Sequence, residues 1–545
     1  MSPGTSDNLI LTGFMGTGKT AVGRLVAERL GRPFLDMDAE IEARAGKSIA
    51  AIFSEDGEVA FRTLENALCR QVSRLEGRIV ATGGGAVVDP ANRERLAGNG
   101  QIVCLTAGVD QILDRVAGAF SRPLLQAPDP RAAAERLLRL REEAYATIPW
   151  QIDTTGLSPQ QVAAQVLPFA EVRTLTVHHA AGAYPIHIGS QLLPHAGGAL
   201  RSAGAPHGSR VAVVSNPVVA PLYRAPVETS LRAAGFEPVS CSVPDGEQHK
   251  TLATMAGLYE QFLAGGLDRH DTVLALGGGV TGDIAGLAAA TYLRGIRFAQ
   301  VPTTLLAMVD ASVGGKTGVD LPAGKNLVGA FKQPAVVLID PDVLGTLPPR
   351  EVRAGIAETI KHGIIDAPDL FAELENGPAV SLDAFVMSSA QLARALEVKT
   401  RIVEQDPLEQ SRRAVLNLGH TVGHGLERLS AYQLRHGEAV AIGIVAATRI
   451  AAAMGLAAPD LIGRIETGLG SWGLPVHCPP VSFPALWDAM AHDKKRRGRS
   501  LRWVLPRAIG KATVDHEIPL ETVRTVMIEM GAVDRTGEES YEVNT

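Results

Sequence analysis

A chain of 545 residues exceeds one ordinary domain; at about 150 residues per unit, three or four compact units are expected. An apolar fraction of 46% against 20% charged residues fills sizeable cores and excludes wholesale disorder, while aromatics at only 4% beside 57 glycines favour helix-rich α/β architecture over a sandwich of short strands. With 52 basic and 58 acidic side chains the net charge is −6, so no global basic field attracts nucleic acid and any anion site must be local.

In chain order, the apolar run Leu9 to Leu11 leads into GFMGTGKT and then AVGRLVAERLG, a strand, a glycine-rich turn and a helix. RPFLDMD, RIVATGGGAVV, QIVCLTA and WQIDTT read as further strands, with helical segments between them, including an arginine-rich helix from Arg131 to Tyr145. Strands alternating with helices predict a parallel sheet. GLSPQQVAAQVLPFAEV predicts a closing helix and a joint near residue 170. The pattern then restarts with RTLTVHH, YPIHIG, VAVVSN, DTVLALGGGVTGD and AVVLIDPDVLGTLP; beyond about residue 346 helical runs dominate, apart from LRWVLPRAIGKATV. The expected units are an α/β domain over 1–170, an α/β domain over 171–345 and a helical domain over 346–545, ending in a frayed acidic tail.

Cys69, Cys104, Cys241 and Cys478 are dispersed without a CxxC pair, which suits reduced thiols. MSPGTSDN lacks the regions of a signal peptide, and the apolar stretch from Ala439 is broken by Thr448 and Arg449. A cytoplasmic protein without membrane or nucleic-acid partners is expected.

Gly13-Phe-Met-Gly16-Thr17-Gly18-Lys19-Thr20 satisfies GxxxxGK[ST] between a strand and a helix. Glycines let backbone N–H groups close around phosphate oxygens, Lys19 adds a point charge, and Thr20 offers an oxygen to Mg²⁺. Asp36 and Asp38 end the next strand: one carboxylate can order the Mg²⁺ waters and the other can polarise an acceptor hydroxyl. Arg62, Gly83, Gly84, Gly85 and Arg141 suit a cationic, backbone-lined pocket for a carboxylate.

These motifs, with the Phe61-Arg62 pair, the Arg122-Pro-Leu-Leu segment and Tyr145 four residues after Arg141, resemble shikimate kinase over roughly positions 7–165. The resemblance implies that Asp38, Arg62, the glycine triplet and Arg141 hold shikimate. It also implies that Arg122 sits in a lid and touches the transferring phosphate, and that Arg115 lies against the adenine of ATP.

In the second half, Gly277 to Gly282 satisfies GxGxxG after a strand, but the acidic residue expected about 20 positions on is Pro302. A pyrophosphate site on something other than an ordinary Rossmann unit is expected, with Asp283 as a substrate or ribose contact. Asp310, Lys316, Lys325 and Asn326 fall in a glycine-rich apolar stretch, a setting for an anionic substrate that Lys361, Lys399, Arg294 and Arg413 extend. Asn417-Leu-Gly-His420-Thr-Val-Gly-His424 places two imidazoles four residues apart; His436 and Glu358 offer two further ligands. Two histidines and a carboxylate suit catalytic Zn²⁺ or another divalent ion. Spacing leaves His420/His424 and His420/His436 equally open.

DGEQHK, GGGVTGD, VPTTLLAMVDASVGGKTGVD, AGKN, AETIKHGII, LNLGHTVGHGLE, HGEAVAIG and DKK, in that order, resemble 3-dehydroquinate synthase from about Val172 onward. The resemblance implies metal ligands Glu358, His420 and His436, with Zn²⁺ or Co²⁺. It puts His424 on the substrate-phosphate side with Arg294, Asn417 and a lysine of Lys494-Lys495. NAD contacts are implied for Asp245, Gly246, Glu247, Gln248, His249, Lys250, Gly279, Val280, Thr281, Gly282, Asp283, Thr303, Thr304, Lys316, Lys325, Asn326, Val343, Leu344, Gly345 and Thr346. A reaction pocket is implied for Asp310, Lys316, Lys361, Lys399 and Arg413, and a homodimer for the second half. The expected activities are ATP-dependent phosphorylation of shikimate and NAD-dependent conversion of 3-deoxy-arabino-heptulosonate 7-phosphate to 3-dehydroquinate. A related sugar-phosphate cyclase or metal-dependent alcohol dehydrogenase, joined to a non-catalytic ATP-binding module, is the alternative.

Overall fold

The computed structural model describes residues 7–116, 129–378, 382, 385–407, 409, 411–431, 433–495, 501–515 and 518–534. Arg122 and the acidic tail lie outside them, as do the side chains of Lys494 and Lys495.

The front half is built on a five-stranded parallel sheet of β1 (Asn8–Gly13), β2 (Phe34–Asp36), β3 (Ile79–Ala81), β4 (Gly100–Thr106) and β5 (Trp150–Asp153), ordered β2-β3-β1-β4-β5. Every residue of β1 is buried, because helices cover both faces of a parallel sheet and its central strand therefore reads as one apolar run. Four helices carry its chemistry: α1 (Lys19–Leu30), α2 (Met37–Ala45), α3 (Gly57–Val72) and α4 (Pro130–Ala146). Gly18 precedes α1 at φ +92°, a left-handed conformation that glycine adopts without strain.

The second sheet has seven strands: β6 (Arg173–His179), β7 (Gly182–Ile188), β8 (Arg210–Ser215), β9 (Glu237–Ser242), β10 (Thr272–Gly277), β11 (Arg297–Pro302) and β14 (Val337–Ile339), ordered β6-β7-β14-β11-β10-β8-β9. Only β6 runs antiparallel to its neighbour. A separate hairpin, β12 (Lys316–Leu321) and β13 (Gly324–Phe331), carries Lys316 and Lys325; the later β15 (Trp503–Ala508) and β16 (Lys511–Asp515) form another. The helix that follows the glycine turn is α5 (Gly279–Thr291). Four more organise the metal cluster and its surroundings: α6 (Pro349–Asp366), α7 (Ser389–Gln405), α8 (His420–Leu429) and α9 (His436–Ala453). Among the described residues, α9 alone is long and apolar enough to cross a membrane, and 72% of that stretch is buried inside the fold. All four cysteines are free and buried.

The joint expected near residue 170 is a packed seam. Trp150 packs against Phe169 at 5.2 Å with the rings tilted by 31° and meets the His187 ring edge-on at 4.9 Å, while Phe169 meets His195 at 4.9 Å. Gly198 lies so close to the Pro149 carbonyl oxygen that a Cβ there would sit 2.2 Å from it. Around this apolar centre the Gln101 amide donates to Thr174 Oγ1 (3.3 Å), the Ser202 hydroxyl donates to the Thr147 carbonyl (2.8 Å), and Arg173 pairs with Asp7 (3.4 Å). Burial holds the His187 and His195 rings down to about 4, so both pack as neutral aromatics. The sequence reads as a joint because the seam's partners are distant along the chain.

Candidate active sites

The phosphate-binding turn sits at the carboxyl end of β1, where ligands of open parallel sheets bind. Lys19 Nζ donates to the Gly13 and Phe14 carbonyls, both at 2.9 Å, which folds it over the turn. Thr20 Oγ1 donates to Asp36 Oδ2 at 2.7 Å, and Asp36 Oδ1 caps α2 by accepting from the Asp38 and Ala39 N–H groups. Thr20 and Asp36 are therefore held together, two oxygens that could serve a hydrated Mg²⁺. Arg115 reaches back to the Gly16 carbonyl (3.3 Å) and to Thr154.

Beside the turn is a cavity of about 290 Å³, lined by Met15, Thr20, Asp36, Asp38, Ala39, Glu42, Ile49, Phe53, Phe61, Arg62, Glu65, Gly83, Gly84, Gly85 and Arg141. Its floor needs glycine, because each residue of the triplet is approached by a charged side chain. A Cβ on Gly83 would lie 2.7 Å from Asp38 Oδ1 and 2.9 Å from Glu65 Oε1; one on Gly85 would lie 2.3 Å from Arg62 Nη1. Arg141 Nη1 and the Tyr145 hydroxyl both donate to the Gly84 carbonyl, at 3.0 and 2.6 Å. Arg62 donates to Glu65 (2.6 Å) and Glu58 (3.1 Å). Glu65, buried and absent from the sequence expectations, aims Arg62; burial pushes its carboxyl up while Arg62 pulls it down, and the net is upward. Two guanidiniums, a carboxylate and open backbone suit a small hydroxylated carboxylic acid.

In the second half the glycine turn ends β10 and opens α5, with Thr303 N–H donating to the Gly277 carbonyl at 3.0 Å. Asp283 is ion-paired with Lys250 at 2.6 Å, and Lys250 also donates to Asn326 Oδ1 at 2.6 Å. Burial raises the Asp283 carboxyl to about 6 against the pull of Lys250. Asp245 accepts from Asn216 at 2.7 Å, and Tyr223 donates to the Val343 carbonyl at 3.1 Å. The DGEQHK turn, the glycine turn and β13 are thus joined through Lys250. Arg294 lies exposed at a left-handed backbone position beyond α5, φ +70°.

The metal-ligating types converge where three helices touch through small residues. A Cβ on Gly437 of α9 would lie 2.4 Å from Ala354 Cα of α6, and one on Gly443 would lie 1.9 Å from the carbonyl oxygen of Gly419, the residue that starts α8. Backbones this close bring Glu358, His420 and His436 together, with one ligand atom each, all within 4.8 Å of one another. His420 Nε2 and His436 Nε2 lie 3.7 and 3.4 Å from Glu358 Oε1. The edge of a tetrahedron around Zn²⁺ with ligands at about 2.0–2.1 Å is about 3.4 Å, so these atoms need little movement to share an ion. Both Glu358 oxygens are buried without a hydrogen-bond partner among the described residues, although Lys361 is ion-paired with Oε2. An orphaned buried carboxylate facing two imidazole nitrogens fits a divalent metal. Burial and then Lys361 hold the His420 ring down to about 3, the neutral form that ligates; burial would also lower His436, but Glu358 and Glu427 raise it to about 10.

His424 points to one side, its ring 5.1 Å from His420 and 6.2 Å from His436. On the other side Lys399 of α7 donates to Asp310 Oδ1 at 2.7 Å, and burial notwithstanding, Lys399 and Lys361 hold the Asp310 carboxyl below the usual range. Lys316 pairs with Glu409, which also accepts from Asn417 (3.2 Å), and Arg413 donates to the carbonyls of Pro407 and Gly314. The structure therefore gathers Asp310, Lys361 and Lys399 at the metal cluster and links Lys316 to Asn417 through Glu409. Sequence reading missed Glu409, Glu427 and His362; His362 is fully buried with neither ring nitrogen bonded among the described residues. Their only signal was spacing, since Glu427 falls three residues after His424 and seven after His420, on one helix face.

Gly443→Ala should drive α8 off α9. Overpacking of this kind costs about 1–3 kcal/mol, so a lowered melting midpoint and weakened metal binding are expected, measured by thermal unfolding and chelator competition. An unchanged midpoint with wild-type metal affinity would contradict the close-contact account.

The fold and sites define a P-loop phosphotransferase joined to a synthase with a dinucleotide-type α/β domain and a helical metal cluster. The family model "Shikimate kinase" matches residues 15–171, "3-dehydroquinate synthase N-terminal" 240–354 and "3-dehydroquinate synthase C-terminal" 355–496. A 3-dehydroquinate synthase of Geobacter metallireducens is 49% identical over 342 residues, 62% of this chain and 94% of that protein. Two solved structures are similar to the second half. One is 2-epi-5-epi-valiolone synthase from Streptomyces hygroscopicus subsp. jinggangensis with NAD⁺ and Zn²⁺ bound (28% identity, TM-score 0.59, 66% of this chain and 99% of that chain). The other is 2-deoxy-scyllo-inosose synthase with carbaglucose-6-phosphate, NAD⁺ and Co²⁺ (26%, 0.57, 66% and 100%). The chain belongs to the 3-dehydroquinate synthase family and carries a shikimate kinase domain in front of it, a bifunctional enzyme of the shikimate pathway.

Proposed function

We propose that the front unit, residues 1–170, phosphorylates the 3-hydroxyl of shikimate from ATP with Mg²⁺. The units 171–345 and 346–545 then convert 3-deoxy-arabino-heptulosonate 7-phosphate to 3-dehydroquinate and inorganic phosphate, with NAD and Zn²⁺ or Co²⁺. The observation that carries the first assignment is the glycine-floored cavity that sets Asp38 against Gly83 between two arginines and the phosphate turn. Lys19 and the turn amides cradle the phosphates, Thr20 and Asp36 hold the ATP-bound Mg²⁺, and Arg62 and Arg141 clamp the shikimate carboxylate. Asp38 accepts the acceptor hydroxyl's hydrogen bond and orients its oxygen in line with the γ-phosphorus.

For the synthase, the convergence of Glu358, His420 and His436 carries the reading, and 49% identity to a 3-dehydroquinate synthase, against 28% and 26% to the two solved synthases of other names, supports the heptulosonate phosphate as substrate. When bound, NAD supplies a reversible hydride acceptor and the metal supplies a Lewis acid for the substrate's hydroxyl and carbonyl oxygens. Lys250, Asp283, Lys325 and the glycine turn hold the dinucleotide. Asp310, Lys361 and Lys399 line the pocket in which the ring is transformed, held there by the Lys399–Asp310 and Lys361–Glu358 ion pairs. His424, Arg294, Asn417 and one lysine of Lys494-Lys495 take the phosphate, and Lys316 and Arg413 the remaining anionic oxygens. The setting proposed is the cytoplasm, with the second half as a homodimer.

Two assays on the full chain test this. ATP, Mg²⁺ and shikimate should give ADP and shikimate 3-phosphate. The heptulosonate phosphate with NAD and Zn²⁺ should give equal amounts of phosphate and 3-dehydroquinate with no net NADH. A different carbocycle, net NADH, or ATP binding without shikimate-dependent ADP would refute the corresponding half.

A further inference from the structure

Glu427 has no part in the reaction as assigned above, yet it sits at the centre of a charged chain. It is 4% exposed, and its Oε1 lies 3.5 Å from His436 Nδ1 and 3.5 Å from Lys325 Nζ. Lys325, on the hairpin strand β13, lies 3.5 Å from Glu247 of the DGEQHK turn as well. The other nitrogen of the His436 ring faces Glu358. His420 differs: its Nδ1 is 3.2 Å from the Leu418 carbonyl, a backbone partner in the turn that leads into α8.

An imidazole that gives Nε2 to a metal must carry its proton on Nδ1, and the group at Nδ1 fixes both tautomer and ring plane. For His420 the backbone does this. His436, like His420, opens its helix, but the group that faces its Nδ1 is the Glu427 carboxylate, so here a side chain supplies the acceptor. We propose that Glu427 is the positioning residue for His436, accepting its Nδ1 proton so that Nε2 points at the metal, with Lys325 holding the Glu427 carboxylate in place. This rests on the reading of Glu358, His420 and His436 as the metal ligands. It adds a consequence: the ligand that Glu427 aims is tied, through Lys325, to the hairpin and turn proposed to hold the dinucleotide.

The test is metal binding by the full chain, measured by competition with a chromogenic chelator and by the visible spectrum of the Co²⁺ form. Wild type should bind one ion per chain. Loss of such outer partners typically costs 10–100-fold in metal affinity, so Glu427→Gln should weaken Zn²⁺ and Co²⁺ binding by about that factor and shift the Co²⁺ bands, with near-ultraviolet circular dichroism unchanged. In a His436→Ala background the same change should alter affinity less than about twofold, because its effect runs through the absent ring. Should the amide variant fail to fold, Glu427→Asp, which keeps the charge but falls short of the ring, should show the same loss. Unchanged affinity and spectrum in Glu427→Gln would overturn the proposal. So would an equal loss with and without His436, or two ions per chain of which one vanishes with Glu427, since Glu427 would then be a ligand. A wild-type chain that binds no metal, or a His420→Ala chain that binds as tightly as wild type, would instead sink the metal reading beneath it.

Discussion

Glu358→Gln should abolish zinc-dependent cyclisation while leaving shikimate phosphorylation intact. The substitution keeps the shape of a fully buried side chain and removes the one negative charge shared by two imidazoles and Lys361. Breaking a buried ion pair by removing one partner costs about 3–5 kcal/mol, which is roughly a 10²–10⁴-fold loss of metal affinity if it falls on binding. Lys361 is 1% exposed and would lose its ion-pair partner beside the metal, so charge repulsion adds to the loss of a ligand. Chelator competition and phosphate release should fall together, with kinase turnover as the internal control. A Glu358→Gln protein that keeps its metal and full synthase rate would overturn the assignment.

Asp38→Asn should produce the mirror-image defect. Its Oδ1 lies against Gly83 in the cavity, and the amide keeps size while losing the charge that orients and polarises the acceptor hydroxyl. A positioned acid–base group contributes about 10²–10⁴-fold. Shikimate-dependent ADP formation should fall within that range, while ATP affinity changes little because Lys19, Thr20 and Asp36 are untouched. Coupled spectrophotometry for turnover and calorimetry for nucleotide binding separate the two. A loss of nucleotide affinity as large as the loss of rate would move Asp38 from the acceptor site to the phosphate site.

The phosphate turn was legible from the sequence because its chemistry is contiguous: eight residues carry the glycines, the lysine and the hydroxyl, and strand and helix patterns flank them. Metal ligation was legible only as a set of residue types. Glu358, His420 and His436 lie on three helices, and spacing along the chain could not choose between His424 and His436; the small residues at positions 437 and 443 let helix backbones touch, which brings Glu358, His420 and His436 within 4.8 Å of one another. Glu65 and Glu427 were invisible for the opposite reason, since a glutamate on a helix ordinarily faces solvent and only tertiary burial turns it into a partner; Glu409 lies outside any helix and belonged to no pattern. Resemblance supplied the nucleotide-contacting positions, which no spacing rule reached once the acidic residue after the glycine turn proved to be Pro302.

The Trp150–Phe169–His187–His195 seam has a bearing on the fate of the polypeptide in the cell. Two catalysts joined by a slack tether would be made in equal number yet could be lost separately, each clipped or unfolded on its own schedule. Here the aromatic side chain closing the kinase sheet is also part of the wall of the synthase core. Partial unfolding that bared Trp150 would strip cover from both halves at once and hand one long exposed segment to proteases. A core mutation near the seam in either half should therefore lower both activities together, and limited proteolysis should remove them at one rate.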